Sequence, residues 1–175
     1  MNTNLPDNQE KTETEAKFIC PDGLNLDAFL AVVDTLGFQY RKESPCFQKD
    51  VYLDTPEYTL LKADAALRIR QRGETYTGTY KSSEKQQGVI FTRKEFEWAL
   101  SGGEIKLWTE EQKPTIPPAI IDMLNLHGQI LRKVLVVETQ RHTAIISGNN
   151  EFRAEFSLDE VTFRGHKGQK PYREI

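Results

Sequence analysis

Long apolar runs are missing from this chain. No segment approaches the length of a membrane span, and the N-terminus has neither the basic nor the apolar region of a signal peptide. Cysteine is scarce: Cys20 and Cys46 form no CxxC and match no zinc spacing, so they are read as reduced thiols. The three histidines, His127, His142 and His166, are scattered and form no metal pattern. A basic excess is lacking too. The chain has 23 Lys+Arg against 26 Asp+Glu, a net charge of -3, which is not the footprint of a nucleic-acid binder. There is no GxxxxGK(S/T), which excludes a P-loop, and no GxSxG nucleophile elbow. A cytoplasmic protein without membrane or nucleic-acid partners is expected, as a monomer or homodimer.

What is present is charge, at 28% of residues in a chain of 175, and alternation. The length fits one domain with a real core. Residues 1–12 are polar and aperiodic and read as a disordered tail before a single domain over 13–175. Glu13 to Cys20 alternates with period two, as a strand does. Leu26, Phe29, Leu30, Val33 and Leu36 fall at helical spacing before Gly37. Strand alternation returns over 38–41 and 48–53, the latter closed by turn chemistry at Asp54-Thr55-Pro56. Strands over 65–72 and 75–81 flank Gly73 as a hairpin. The longest alternating run, 89–100, ends at Ser101-Gly102-Gly103. After a proline-rich loop over 113–118, Pro117-Pro118 is placed to open a helix reaching Leu126 and stopped by Gly128. Residues 133–137, 141–146 and 151–163 read as three more strands, followed by a modest basic cluster at Arg164, His166, Lys167 and Lys170. No internal repeat or linker divides the chain, and the class is α+β with a mostly antiparallel sheet.

Residues two apart on a strand point to the same side. Glu13, Glu15 and Lys17 therefore share a face, as do Arg68 and Arg70, with Leu67 and Ile69 opposite. Arg93, Glu95 and Glu97 share a face with Phe96 and Trp98 opposite; Glu155 and Asp159 lie four apart with Phe156 and Leu158 opposite. Lys81 and Arg141 sit on the polar sides of their strands. The wet outer face of an ordinary antiparallel sheet explains any one of these strands. It does not explain the grouping by sign, since like charges on neighbouring positions repel by about 0.2–1 kcal/mol per pair. Counter-ions relieve that repulsion. Clustered carboxylates suit Mg²⁺ or Mn²⁺, and clustered Arg and Lys suit phosphate oxygens. Together they describe a metal–polyphosphate site, with the apolar residues opposite packed outward against helices.

The same residues resemble the motifs of the CYTH superfamily, the triphosphate tunnel metalloenzymes. Glu13-Thr14-Glu15-Ala16-Lys17 matches an ExExK signature. Tyr52-Leu53-Asp54-Thr55-Pro56 followed by Leu67-Arg68-Ile69-Arg70 is similar to a YFDTP-like turn and LRxR. Tyr80-Lys81, Arg93-Lys94-Glu95-Phe96-Glu97 and the late strand from Glu155 to Asp159 continue the series to the C-terminus. The resemblance implies an eight-stranded antiparallel β-barrel tunnel with a few helices outside and two divalent metal sites. It gives Glu13, Glu15, Glu95, Glu97, Glu155 and Asp159 as metal ligands. Lys17, Arg68, Arg70, Lys81, Arg93 and Arg141 become phosphate contacts, with Glu13, Glu15 and Lys17 catalytic. Thr139-Gln140-Arg141 stands where many members carry Lys-x-Arg. Members also continue past a segment like Tyr172-Arg173-Glu174-Ile175 into a Glu-x-Glu strand and a helix, so the sequence is expected to be truncated there and its tunnel incomplete. The implied activity is Mg²⁺- or Mn²⁺-dependent hydrolysis of inorganic triphosphate. Class IV adenylyl cyclase and thiamine triphosphatase are the alternatives within the family. A catalytically impaired polyphosphate- or nucleotide-binding module is the alternative outside it.

Overall fold

Alternation of apolar and polar side chains puts most of this chain into strands. The computed structural model describes residues 11–87, 90–100, 116, 118–149, 152–164 and 172–174. Of residues 1–12, read as a tail, Lys11 and Thr12 belong to the first strand; residues 1–10, the turn at 101–103, most of the loop at 113–118 and the basic cluster beyond Arg164 lie outside the described residues. The elements are β1 (Lys11–Ala16), α1 (Leu26–Thr35), β2 (Gln39–Lys42), β3 (Cys46–Asp54), α2 (Thr59–Lys62), β4 (Ala65–Arg72), β5 (Thr75–Gln87), β6 (Ile90–Leu100), α3 (Pro118–Met123), β7 (Arg132–Ser147), β8 (Arg153–Arg164) and β9 (Tyr172–Glu174). The result is an α+β fold on antiparallel pairing. Among the described residues no helix is long and apolar enough to cross a membrane.

The chain gathers into two compact units, one from Met1–Ala16 with Lys49–Val136, the other from Lys17–Gln48 with Val137–Ile175. In the first unit the strands run β1-β6-β5-β4-β3. Leu67 pairs with Tyr80 and Tyr80 with Phe96, while Ile69 pairs with Gly78 and Gly78 with Trp98. Paired residues share a face, so these five side chains and Gly78 make one apolar surface. It closes over a core that includes Leu60, Ile120 and Leu126, supplied by α2, α3 and the turn after α3. Asp54 explains α2, which is not visible as helical periodicity. Its carboxylate accepts from the backbone N–H groups of Thr55 (2.7 Å), Leu60 (2.9 Å) and Leu61 (3.0 Å), fixing a single helical turn after the chain reverses.

Gly78 is a packing requirement. A Cβ there would lie 2.1–2.5 Å from three atoms of the Trp98 indole, which is buried. Forcing that ring aside costs about 1–3 kcal/mol. Gly78→Ala is therefore expected to lower the thermal unfolding midpoint by several degrees; an unchanged midpoint would contradict this packing.

In the second unit α1 begins at Asn25, whose Oδ1 accepts from Ala28 N at 2.9 Å. It ends as predicted, with Gly37 left-handed at φ 80°. Leu30 and Val33 pack on Ala144 and Ile146, and Phe29 stacks on Phe156 with centroids 3.6 Å apart. Lys42 of β2 donates to Asp27 in the first turn of α1, and that hydrogen bond holds its ammonium above the ordinary lysine range. The predicted break between 133–137 and 141–146 is absent: β7 is one strand of 16 residues. The polar run Glu138-Thr139-Gln140 continues the alternation, with Thr139 4% exposed.

Candidate functional site

The register of the first unit's sheet places its charges on the side opposite Leu67 and Ile69. Arg68 pairs with Thr79 and Thr79 with Glu97; Lys81 pairs with Glu95. Arg68, Thr79, Lys81 and Glu95 thus project from one face, and the Arg70 guanidinium meets a carboxylate from β3 on that side. Asp50 receives Arg70 through a two-pronged contact, Nε to Oδ1 at 2.8 Å and Nη2 to Oδ2 at 2.7 Å. Arg68 Nη1 lies 3.7 Å from the same carboxylate, and its Nη2 donates to Thr79 Oγ1 at 3.3 Å. Lys81 Nζ is 3.3 Å from Glu95 Oε1.

These groups are shielded. Side-chain exposure is 5% for Asp50, 12% for Arg68, 19% for Arg70, 16% for Lys81 and 11% for Glu95. Charges removed from water this far need close partners, and bidentate guanidinium–carboxylate geometry is the strongest available. One donor is left over: Arg68 Nε is buried with no hydrogen-bond partner. Arg68, Arg70 and Lys81 gathered on one shielded face, with the buried Arg68 N–H to spare, fit an anion with several oxygens.

Glu97 lies on the same strand as Glu95 but is exposed. The backbones of Glu13 and Glu15 are set on β1, with Cα partners Arg93 and Phe91 on β6. The side chains of Glu13, Glu15 and Arg93 lie outside the described residues. Lys17 was expected on the strand face of the two glutamates. β1 ends at Ala16, so Lys17 follows the strand and is exposed.

In the second unit Arg141 of β7 grips Asp159 of β8 in the same two-pronged way, Nε to Oδ1 at 2.8 Å and Nη2 to Oδ2 at 2.6 Å. Asp159 is 4% exposed, and its Cα partner on β9 is Glu174. Glu155 is exposed and accepts from Ser157 Oγ at 3.3 Å.

Sequence reasoning missed Asp50, the acceptor that organises both arginines of β4. Gln48 and Asp50 alternate with Lys49 and Val51 in β3, and both are buried, at 1% and 3%. Two polar residues on one face of an otherwise core-forming strand were the available signal.

The donor chemistry for a metal is divided. Among the described residues no three His, Cys, Asp or Glu side chains gather as a metal cluster. Glu13 and Glu15, two positions apart on one strand, are hard oxygen donors of the type Mg²⁺ or Mn²⁺ takes. As a donor set they fit.

A family model described as the CYTH domain matches residues 11–174. No curated protein matches the chain. Solved structures do. A candidate adenylate cyclase from Bacillus halodurans superposes with a TM-score of 0.58 at 19% identity, covering 94% of this chain and 77% of its own. A candidate adenylyl cyclase from Hippeastrum, described as having a dominant triphosphatase activity, gives 0.60 at 18% identity, covering 95% and 77%. The protein PH1819 from Pyrococcus horikoshii gives 0.51 at 20%, covering 94% and 76%. At these identities the likeness is one of fold.

Proposed function

The chain belongs to the CYTH family, and we propose that it is a metal-dependent triphosphate hydrolase acting on inorganic triphosphate. The observation that carries this reading is the shielded cluster of Arg68, Arg70 and Lys81 around Asp50 and Glu95, with its spare buried Arg68 N–H. A bare triphosphate asks only for such cations at fixed positions, whereas a cyclase must also recognise adenine and orient a ribose hydroxyl. No described residue on this face offers an aromatic platform for a base.

Arg68, Arg70 and Lys81, with Arg93 from the neighbouring strand, would bind non-bridging phosphate oxygens. Asp50 would hold the Arg70 fork in one orientation so that little is reorganised when the phosphate arrives. Glu13 and Glu15 would hold Mg²⁺ or Mn²⁺. When bound, such an ion neutralises phosphate charge and lowers the pKa of a coordinated water. The arginines offset the negative charge on the transferred group, the main protein contribution to phosphoryl transfer.

Incubating the protein with Mg²⁺ and, in parallel, tripolyphosphate, ATP and thiamine triphosphate tests the reading. Tripolyphosphate is expected to release phosphate fastest. Conversion of ATP to a cyclic nucleotide and pyrophosphate would instead make it a cyclase. Calorimetric binding of tripolyphosphate without turnover of any substrate would reduce it to a binding module.

A further inference from the structure

The opposite, apolar face of the first unit's sheet carries a second polar feature. Lys49 and Val51 of β3 lie on the face turned away from Asp50. On β4, Ile69 and Gln71 lie on the face turned away from Arg68 and Arg70, and Gln71 is the register partner of Tyr76. These residues, with Lys133 and Val136 at the start of β7, line a cavity of about 250 Å³. Val51, Ile69 and Val136 give it an apolar floor. Tyr76 adds a ring, and two lysines stand on its lining.

Lys49 is the informative residue. It is half-buried, yet among the described residues no carboxylate and no hydrogen bond holds its ammonium. A partly desolvated cation over an apolar surface is costly without a counter-charge. The phosphate-binding face cannot provide one, because alternation along β3 sends Lys49 and Asp50 to opposite sides.

We propose that this cavity is a second binding site, separate from the triphosphate face, for a small molecule with an apolar body and one carboxylate. The carboxylate pairs with Lys49, with Lys133 adding positive potential, and the body lies on Val51, Ile69, Val136 and the Tyr76 ring. The volume falls below the roughly 300–1,000 Å³ of sites for drug-sized ligands, which sets the scale at one or two fused rings. A polyphosphate does not suit this cavity, because Val51, Ile69 and Val136 would face its charged oxygens.

The test uses the full chain with 1-naphthoate and its uncharged isostere 1-naphthamide as probes, followed by NMR and calorimetry. Naphthoate is expected to bind at least about tenfold more tightly than the amide, since a hydrogen bond between charged groups contributes on that scale. Lys49→Gln should remove that preference and Lys49→Arg should keep it, with tripolyphosphate affinity unchanged in both. Equal binding of acid and amide, an unaltered Lys49→Gln, no binding at millimolar naphthoate, or displacement of naphthoate by tripolyphosphate would each overturn the proposal. Because it does not depend on turnover, a failed triphosphatase assay leaves it standing.

Discussion

Replacing Glu13 and Glu15 together by Gln is expected to abolish Mg²⁺-dependent release of phosphate from tripolyphosphate. The substitutions keep side-chain volume at two positions of β1, replace one acceptor oxygen of each by an NH₂ donor, and remove the anionic charge that a hard divalent ion requires. Loss of an outer-shell partner alone typically costs about 10–100-fold in metal affinity or activity, and loss of two direct ligands should exceed that. The backbone pairing of β1 with β6 is unaffected by the change, so far-UV circular dichroism should be unaltered. Metal-free binding of tripolyphosphate should survive, because Arg68, Arg70 and Lys81 remain. Full turnover by the double variant would remove Glu13 and Glu15 from the account.

The second large effect falls on folding. Arg141→Ala leaves Asp159, 4% exposed, with no other hydrogen-bond or ion-pair partner among the described residues. An uncompensated buried carboxylate costs about 3–5 kcal/mol, a large share of the roughly 5–15 kcal/mol that holds a domain together. Arg70→Ala should be milder for stability, because Asp50 retains the Arg68 guanidinium at 3.7 Å. A double replacement, Arg141→Leu with Asp159→Leu, is expected to recover most of the lost stability, since removing both charges removes the desolvation cost as well. Thermal or urea unfolding of the single and double variants measures the difference. If Arg141→Ala unfolds with the parent protein, the buried pair does not contribute as described.

How far the fold could be read from the sequence depended on whether local pattern and tertiary burial agreed. In β4 they do: Leu67 and Ile69 alternate with Arg68 and Arg70, and the structure buries the first pair at 0% and 2% while turning the second onto the charged face. The helix α1 was legible for the same reason, its apolar spacing ending before Gly37. Elsewhere the signals conflicted. Thr139 looks like a loop residue in Glu138-Thr139-Gln140, but it is buried within an unbroken β7. Asp54-Thr55-Pro56 reads as a turn, and its further role in fixing α2 depends on backbone groups six and seven residues away. Asp50 gave no grouping by sign, because the other acid of its strand, Asp54, lies four positions on in the turn, and Asp50 finds its arginines only on a strand 18 and 20 positions on.

The candidate site was legible as types of charge on strand faces, and its ion pairs were not. Nothing in the order of residues announces that Arg70 is committed to Asp50 or Arg141 to Asp159. Those pairings depend on which strands lie side by side, and that choice is made by the packed apolar face behind them.

The most direct measurement is ³¹P NMR of tripolyphosphate incubated with the protein and Mg²⁺, beside a sample containing a chelator. The account predicts equimolar orthophosphate and pyrophosphate, so that the pyrophosphate resonance grows with about twice the integrated intensity of the orthophosphate resonance as the tripolyphosphate signals fade, and only when the metal is present. Tripolyphosphate that stays intact in both samples, or is cleaved equally in both, would contradict it.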